Sequence, residues 1–194
     1  MKKAFLLVLI LFVSVMSTAC INNLAVQELN NKAKGYLDKG DYENAISRLK
    51  SSIDLDSTLF ESHYNLGIAY TQAEKYPEAV ETFQNAIKLK PSFADAYYSL
   101  AVAQENFAKG IIDGTIKKEN SEDKAEAKAD SEEVPEVKLT TEDKAQIVQL
   151  LNDSTASYNT YIEKGQELKD KEEVEQKIEY LKEQVLKYAP ATAE

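Results

Sequence analysis

The chain of 194 residues contains one thiol and one imidazole, the side chains that most often serve as nucleophiles, bases or metal ligands. Cys20 follows an apolar segment, and His63 has no second histidine or nearby cysteine to join it. Catalysis needs a nucleophile, a base and an orienting group in matched geometry, and no spacing here indicates such a set. The many carboxylates alternate with lysines, as on a solvated helix face. We therefore expect no catalytic residue, no metal site, no cofactor and no enzyme activity.

Residues 1–19 have the three-part pattern of an export signal. Lys2 and Lys3 precede an apolar run from Ala4 to Val15 that only Ser14 interrupts, and mostly small residues follow as far as Cys20. The run is shorter than the roughly 20 apolar residues that cross a hydrocarbon core. This length favours a removable signal over a permanent transmembrane helix.

The four residues Ser-Thr-Ala-Cys at 17–20 resemble the lipobox of bacterial lipoproteins, which implies cleavage before Cys20 and acylation of its thiol. Residues 20–25 would then be a lipidated linker. Ser17 stands where Leu is usual, and Ser17 with Ala19 also suits the ordinary signal peptidase, so an unmodified Cys20 remains the alternative. In lipoprotein sorting, Ile21 after the cysteine implies the periplasmic face of an outer membrane, or the outer cell face where there is one membrane.

The chain is acidic, with 23 basic and 33 acidic residues and a formal net charge of −10. Removal of residues 1–19 would take away two lysines and no acid, so the exported chain is more acidic still. Nucleic-acid binding depends on Lys and Arg that neutralise phosphates, and Arg48 is the only arginine. Nucleic acid is therefore excluded as a partner, and the expected membrane contact is the N-terminal lipid anchor rather than docking on anionic headgroups.

The sequence repeats itself with a period of 34 residues. Small and aromatic residues recur in phase when Tyr36, Gly40, Asp41, Tyr42, Ala45, Ile46 and Leu49 are laid on Tyr70, Glu74, Lys75, Tyr76, Ala79, Val80 and Phe83. A fixed period of this length is typical of solenoids, whose units bury their apolar faces by stacking.

Residues 26–59 and 60–93 resemble the tetratricopeptide repeat, a pair of antiparallel helices in which small side chains let the helices approach and large ones fill the gaps. The signature positions of the second copy hold His63, Leu66, Gly67, Tyr70, Ala79, Phe83, Ala86 and Pro91. His63 takes a slot usually held by Trp, so we expect it to pack in the core. The first copy is looser and holds Leu29, Lys32, Ala33, Tyr36, Ala45, Leu49, Ser52 and Ser57. Such departures suit a terminal repeat with one neighbour.

A third repeat begins with a helix over residues 94–109, where Tyr97, Leu100 and Ala101 take signature places. Residues 110–140 are rich in charged and small side chains and cannot offset their ordering entropy by burial, so we predict a disordered acidic insertion. Thr140 with Asp143 indicates a helix start. Apolar residues then recur at helical spacing over residues 141–169, which predicts the second helix of this repeat.

An amphipathic helix over residues 171–189 is predicted to cap the stack, with Val174, Ile178, Leu181, Val185 and Leu186 on its apolar face. The predicted fold class is therefore all-α: an α-solenoid of about three helix hairpins plus a C-terminal capping helix, interrupted by the insertion in the third repeat.

In the tetratricopeptide family the ligand usually lies in a concave groove lined by the first helix of each repeat. The resemblance places there Asn30, Lys34, Leu37 and Asp38 from the first repeat, Glu61, Tyr64, Asn65, Ile68, Thr71 and Gln72 from the second, and Asp95, Tyr98, Val102, Glu105 and Asn106 from the third. Members that clamp a peptide carboxylate use several cations plus Asn. Asn65 matches, but Asp95 and Ser99 stand where cations belong, which disfavours that mode.

Tyr64, Ile68, Tyr98 and Val102 instead offer an apolar strip with acidic edges, suited to a helix or extended segment that carries Lys or Arg. The competing interpretation is that some of these side chains simply pack against the next repeat. Together with the export signal, the resemblance implies a membrane-anchored, non-catalytic adaptor of the bacterial cell envelope that binds another envelope protein. The alternative function is a binder or sensor of small envelope ligands such as peptidoglycan fragments.

Overall fold

The computed structural model describes residues 23–116 and 138–190, which form seven α-helices and no strand. In chain order these are α1 (residues 23–37), α2 (Tyr42–Leu55), α3 (Phe60–Gln72), α4 (Tyr76–Leu89), α5 (Ala94–Ile112), α6 (Thr141–Lys164) and α7 (Lys171–Tyr188). The predicted all-α class is confirmed. The predicted signal peptide, Cys20 and most of the predicted acidic insertion lie outside the described residues.

The chain divides into two compact units, one ending at Ala96 and the other beginning at Tyr97. In the first unit α2 packs on α3 and α3 on α4, and in the second α6 packs on α7. None of the helices in the two described ranges combines the length and apolar character that a membrane span requires.

Small residues in the first unit let its paired helices approach closely. Gly67 in α3 faces the ring of Phe83 in α4, and a Cβ added to Gly67 would lie 2.6 Å from the ring carbon Cδ1. Phe83 is 1% exposed and Ala79 is fully buried, so the ring has no room to withdraw. Ala33, 34 residues before Gly67, is likewise buried in α1. The predicted seam of small and aromatic side chains is therefore present.

The turns within the first two hairpins share one backbone geometry. Gly40 has φ 72° and Glu74 has φ 59°, and these residues stand 34 positions apart. In each turn the next amide reaches back to the end of the preceding helix: Asp41 N–H donates to Tyr36 O at 2.9 Å, and Lys75 N–H to Tyr70 O at 2.9 Å. The repeat thus persists at the level of the backbone even where a glutamate replaces the glycine that this conformation favours.

The outer face of α1 explains one departure from the repeat pattern. Lys32 stands where the family usually has Leu, and its Nζ lies 2.7 Å from Glu28 Oε1 one turn earlier. Both side chains are more than half exposed. This position therefore faces solvent, where a lysine is accommodated in place of Leu.

In the second unit, helix α6 begins with the predicted capping box: Asp143 N–H donates to Thr140 Oγ1, and Thr140 N–H donates to the Asp143 carboxylate. The predicted apolar face of α6 is buried at Ile147, Leu150, Leu151, Ser154, Tyr158 and Tyr161. On α7, Val174, Ile178 and Leu181 are buried as predicted, but Leu186 is 78% exposed and lies outside the packed face.

Two helix ends differ from the predicted bounds. Helix α5 continues to Ile112 rather than stopping at residue 109, because Ile111 is buried and adds apolar contact to the last turn. Helix α6 ends at Lys164 rather than at residue 169. Gly165 follows with an extended backbone, and Leu168 folds back onto it, since a Cβ on Gly165 would collide with Leu168 Cδ2.

Replacement of Gly67 by alanine tests the close approach of α3 and α4. Gly67→Ala places a methyl group against the immobile Phe83 ring, so we expect a loss of about 1–3 kcal/mol in the free energy of unfolding, less the gain in helix propensity. Gly35→Ala in α1 is the matched control, since nothing lies within 4 Å of its added Cβ. It should stabilise the protein by about 0.5–1 kcal/mol. Urea unfolding measures the free energy of unfolding of both variants. Equal changes in that free energy would contradict the close approach of α3 and α4 at Gly67.

Candidate functional site

Two of the predicted groove residues in the first unit belong to an internal hydrogen-bond network. The amide Nδ2 of Asn30 donates to Ser52 Oγ at 2.8 Å and to Ser62 Oγ at 2.9 Å, and Asn65 Nδ2 donates to Asn30 Oδ1 at 3.2 Å. Ser52 and Ser62 are fully buried and lie 2.9 Å apart. The network joins α1, α2 and α3, so the Asn30 side chain is engaged in internal hydrogen bonds that hold these three helices together. A sequence pattern of repeat positions gives no sign of these tertiary contacts.

Tyr64, another predicted groove residue, lies in an aromatic cluster of the first unit. Its ring centroid is 5.0 Å from that of Phe93 and 5.8 Å from that of Phe83. Phe60 completes the cluster at 5.2 Å from Phe93, and Lys90 Nζ lies 4.0 Å from the Phe60 ring centroid. Tyr64 is half-buried, so it packs within this unit while part of it stays accessible. Tyr64 therefore packs against neighbouring rings, and its use in a binding groove stays a prediction.

The remaining predicted groove residues of the first unit are spread along the first helices and their ends. Leu37, Ile68 and Thr71 are half-buried, and Thr71 Oγ1 donates to the Gly67 carbonyl oxygen of its own helix at 2.9 Å. The exposed members are Lys34, Asp38, Glu61, Gln72 and Asp95. Lys34 is the one cation in this set, and it is accessible to solvent.

The second unit brings its four predicted groove residues together. Tyr98, Val102, Glu105 and Asn106 of α5 line a cavity of about 560 Å³. We call this cavity the α5–α7 pocket; its other lining residues are Tyr158 of α6 and Glu173, Val174, Gln176, Lys177 and Tyr180 of α7. None of the five residues from α7 belongs to the predicted groove: the sequence placed Val174 on the apolar face of this helix and treated the opposite face as a solvated surface.

Two exposed tyrosines flank the α5–α7 pocket. Tyr98 is 37% exposed and packs edge-on against Tyr158 and Tyr161, with centroid distances of 5.5 and 5.2 Å. Tyr180 on α7 is 50% exposed. Because Tyr98 is fixed by two neighbours, it offers a pre-ordered aromatic surface that loses little entropy when something packs on it.

Glu105 is the central charged group of the pocket. Its Oε1 lies 2.8 Å from Lys177 Nζ, and its Oε2 accepts a long hydrogen bond of 3.5 Å from the Tyr158 hydroxyl. Tyr158 is 2% exposed. Burial raises the pKa of its hydroxyl above the ordinary tyrosine value, and the negative charge of Glu105 raises it further. Tyr158 is therefore a hydrogen-bond donor that stays protonated well into the alkaline range.

Polar contacts beneath the pocket hold α5 and α6 together. Ser154 Oγ donates to the Ala101 carbonyl oxygen at 2.9 Å, and Ser157 Oγ donates to Gln104 Oε1 at 3.0 Å. Ala101 is fully buried, which lets the two helices approach this closely. These contacts fix the α5 side chains that line the pocket.

The signature position of His63 predicted that it packs in the core, but the structure places it outside the core. It is half-buried, and its Nε2 donates to the Ser57 carbonyl oxygen at 3.0 Å. Imidazole is smaller and more polar than the usual indole, so the side chain stays at the rim of a shallow cavity of about 340 Å³ beside Lys50 and Tyr70. No group of three His, Cys, Asp or Glu side chains in residues 23–116 and 138–190 is arranged to hold a metal ion.

A family model described as TPR repeat matches residues 33–73 and 69–106. Residues 33–106 are therefore similar to tetratricopeptide repeats, in agreement with the sequence pattern. No curated protein sequence matches the chain.

Solved tetratricopeptide domains have similar folds. The first TPR of Spaghetti (RPAP3), bound to the HSP90 peptide SRMEEVD, is 15% identical with a TM-score of 0.58, covering 84% of this chain and 94% of that chain. The second TPR domain of human RPAP3, in complex with the HSP70 peptide SGPTIEEVD, is 18% identical with a TM-score of 0.57, covering 81% and 98%. The TPR2B domain of yeast Sti1, in a complex with pHsp70, is 17% identical with a TM-score of 0.52, covering 83% and 98%. At these identities the likeness concerns the fold alone, and the predicted all-α fold of tetratricopeptide hairpins is confirmed.

The pH dependence of stability tests the buried Tyr158 hydroxyl. Because its pKa is raised in the folded state, its contribution is fully present below about pH 10, the unfolded value, and is lost as pH rises further. We expect the wild type to lose up to about 1.4 kcal/mol more per pH unit above about pH 10 than Tyr158→Phe, which has no proton to lose. Urea unfolding from about pH 9 to about pH 11 measures this. Parallel stability curves across that range would show that Tyr158 is not buried as described.

Proposed function

We propose that this protein is a membrane-anchored, non-catalytic adaptor of the bacterial cell envelope that binds a peptide or helix of another envelope protein. Tetratricopeptide folds typically serve as non-catalytic interaction modules, and three similar domains are described in complex with chaperone-derived partners. The rigid hairpins present side chains for recognition and contain no constellation suited to covalent chemistry among the described residues.

The α5–α7 pocket is the observation that carries this proposal. Its lining combines tyrosine and valine side chains with polar groups that include Glu105, Asn106 and Gln176, a mixture that suits an amphipathic segment. A cavity of about 560 Å³ accepts one or two side chains of a bound segment. The pocket therefore supplies an anchor point for a larger interface, in the manner of a binding hot spot.

The charge of the pocket separates its proposed partner from those of the similar structures. The peptides SRMEEVD and SGPTIEEVD are acidic at their carboxyl ends. Glu105 and Glu173 line the α5–α7 pocket together with a single lysine, Lys177, which is already paired with Glu105. An acidic tail would meet repulsion here, so the proposed partner segment is neutral or basic.

The proposed envelope location rests on the export pattern of residues 1–19 and on Cys20. Acyl chains on a terminal cysteine would hold the protein at a membrane surface, since each buried methylene contributes about 0.8 kcal/mol. The tetratricopeptide repeats would then stand in the aqueous space beside that membrane.

Mass spectrometry of the protein extracted from membranes tests the anchor. We expect a mature chain that begins at Cys20 and carries the added mass of acyl groups, and we expect Cys20→Ser to abolish that mass and the membrane association. Ser17→Leu, which restores the usual lipobox residue, is the matched control and should keep both. An unmodified Cys20 terminus on a protein recovered in the soluble fraction would contradict the anchor.

Capture of binding proteins from an envelope extract tests the adaptor. The tagged full-length protein should retain a discrete partner, and Tyr180→Ala should weaken that binding about tenfold because a half-exposed aromatic wall of the pocket is removed. Leu186→Ala, an exposed residue of the same helix outside the pocket, should leave binding unchanged. Equal capture of the partner by the wild type, Tyr180→Ala and Leu186→Ala would show that the pocket is not part of the interface. A melting temperature raised by peptidoglycan fragments instead would favour the small-ligand alternative.

A further inference from the structure

The α5–α7 pocket holds a cation that the chain itself supplies. Lys177 Nζ lies 2.8 Å from Glu105 Oε1 and 5.9 Å from the centroid of the Tyr180 ring. Glu105 comes from α5, whereas Lys177 and Tyr180 lie three residues apart on α7. An ammonium group between a carboxylate and an aromatic face occupies the kind of position that recognises a cationic side chain.

The two partners of this ion pair are held unequally. The Glu105 side chain is 21% exposed, and its second oxygen also contacts the buried Tyr158 hydroxyl. The Lys177 side chain is 40% exposed and ends a flexible four-carbon stem. Glu105 is thus fixed by the fold, whereas Lys177 can leave without breaking any other contact of the carboxylate. Because the lysine end of the pair is 40% exposed, its contribution to stability is modest, and exchanging it for another cation requires little free energy.

We propose that Lys177 is an internal placeholder for an arginine of the partner, and that binding exchanges the lysine for the partner's guanidinium on Glu105. This inference rests on the proposed function of the pocket and specifies the chemistry that the pocket selects. The planar guanidinium can pair with the carboxylate through two N–H groups and stack on a tyrosine ring, neither of which an ammonium group does. Tyr98 and Tyr180 provide aromatic surfaces at the walls of the same cavity.

The local charge favours this exchange. When Lys177 turns to solvent, Glu105 and Glu173 are the charged groups that remain in the lining of the pocket. The chain as a whole carries a formal net charge of −10, which attracts a basic segment at long range. Both effects weaken as salt screens them, so the proposed binding should fall with ionic strength.

Fluorescence anisotropy with labelled peptides tests the exchange on the full-length protein in detergent. The probe is the capped peptide Ala-Leu-Arg-Leu-Ala-Ala, whose leucines can contact the half-buried Val102. Its counterparts carry Lys or the neutral isostere citrulline in place of Arg. We expect the Arg peptide to bind most tightly and the citrulline peptide to bind about tenfold or more weakly. Glu105→Gln should reduce the preference for Arg by a similar factor.

Substitutions at Lys177 separate a placeholder from a structural lysine. Lys177→Met frees Glu105 and should raise the affinity for the Arg peptide about two- to fivefold. Lys177→Arg strengthens the internal pair with Glu105 and should therefore lower the affinity for the Arg peptide. Lys182→Met is the matched control on α7, since Lys182 pairs with Glu179 outside the pocket and should have no effect. These variants act at a solvated position, so they remain informative if Glu105→Gln does not fold.

The outcomes distinguish the two proposals. If the Arg peptide binds the wild type and Lys177→Met leaves its affinity unchanged or lowers it, the placeholder role of Lys177 is overturned, while the pocket remains a binding site. Equal binding of the Arg and citrulline peptides overturns the selection of a guanidinium. No binding of any peptide, combined with partner capture that is insensitive to Tyr180→Ala, overturns both the inference and the proposed use of the pocket.

Discussion

Close contact between paired helices is the constraint on which the rest of this protein depends. Ala33, Gly67 and Ala101 stand 34 residues apart and are all buried. Against Gly67 lies the ring of Phe83, and onto the Ala101 carbonyl oxygen the Ser154 hydroxyl donates at 2.9 Å. A larger side chain at either place would push the helices apart, and the neighbouring side chains, including those that line the α5–α7 pocket, would move with them.

The same closeness explains why some polar residues are committed to the interior. A polar group removed from water must find a partner, and among the described residues no buried side-chain nitrogen or oxygen lacks one. Ser52 and Ser62 meet this demand by contacting each other and the Asn30 amide, so one network fixes three helices. The Asn30 side chain therefore serves to hold α1, α2 and α3 together, and any effect on the proposed binding would be indirect.

Contacts that follow the 34-residue repeat or depend on neighbouring residues can be predicted from the sequence, whereas contacts that depend on how one helix docks on another cannot. Gly67 against Phe83 could be anticipated because both positions belong to a pattern that recurs every 34 residues, and the helix start at Thr140 follows from local chemistry. Four of the five predicted groove residues of α5 meet in one pocket, whereas Asp95 does not line it. The contact of Glu105 with Lys177 could not be predicted, because it depends on how a helix with ordinary alternating Glu and Lys docks on the unit.

Helix α7 acts both as a cover and as a wall of the site, and its geometry makes the two roles inseparable. Val174, Ile178 and Leu181 form its buried stripe, and at 3.6 residues per turn Lys177 and Tyr180 fall on the adjoining face. The Tyr161 hydroxyl fixes the start of this helix by donating to both Asp170 carboxylate oxygens at 3.0 Å. The apolar contacts that dock α7 therefore also position its pocket-lining side chains, so the pocket exists only while the cap is folded onto α6.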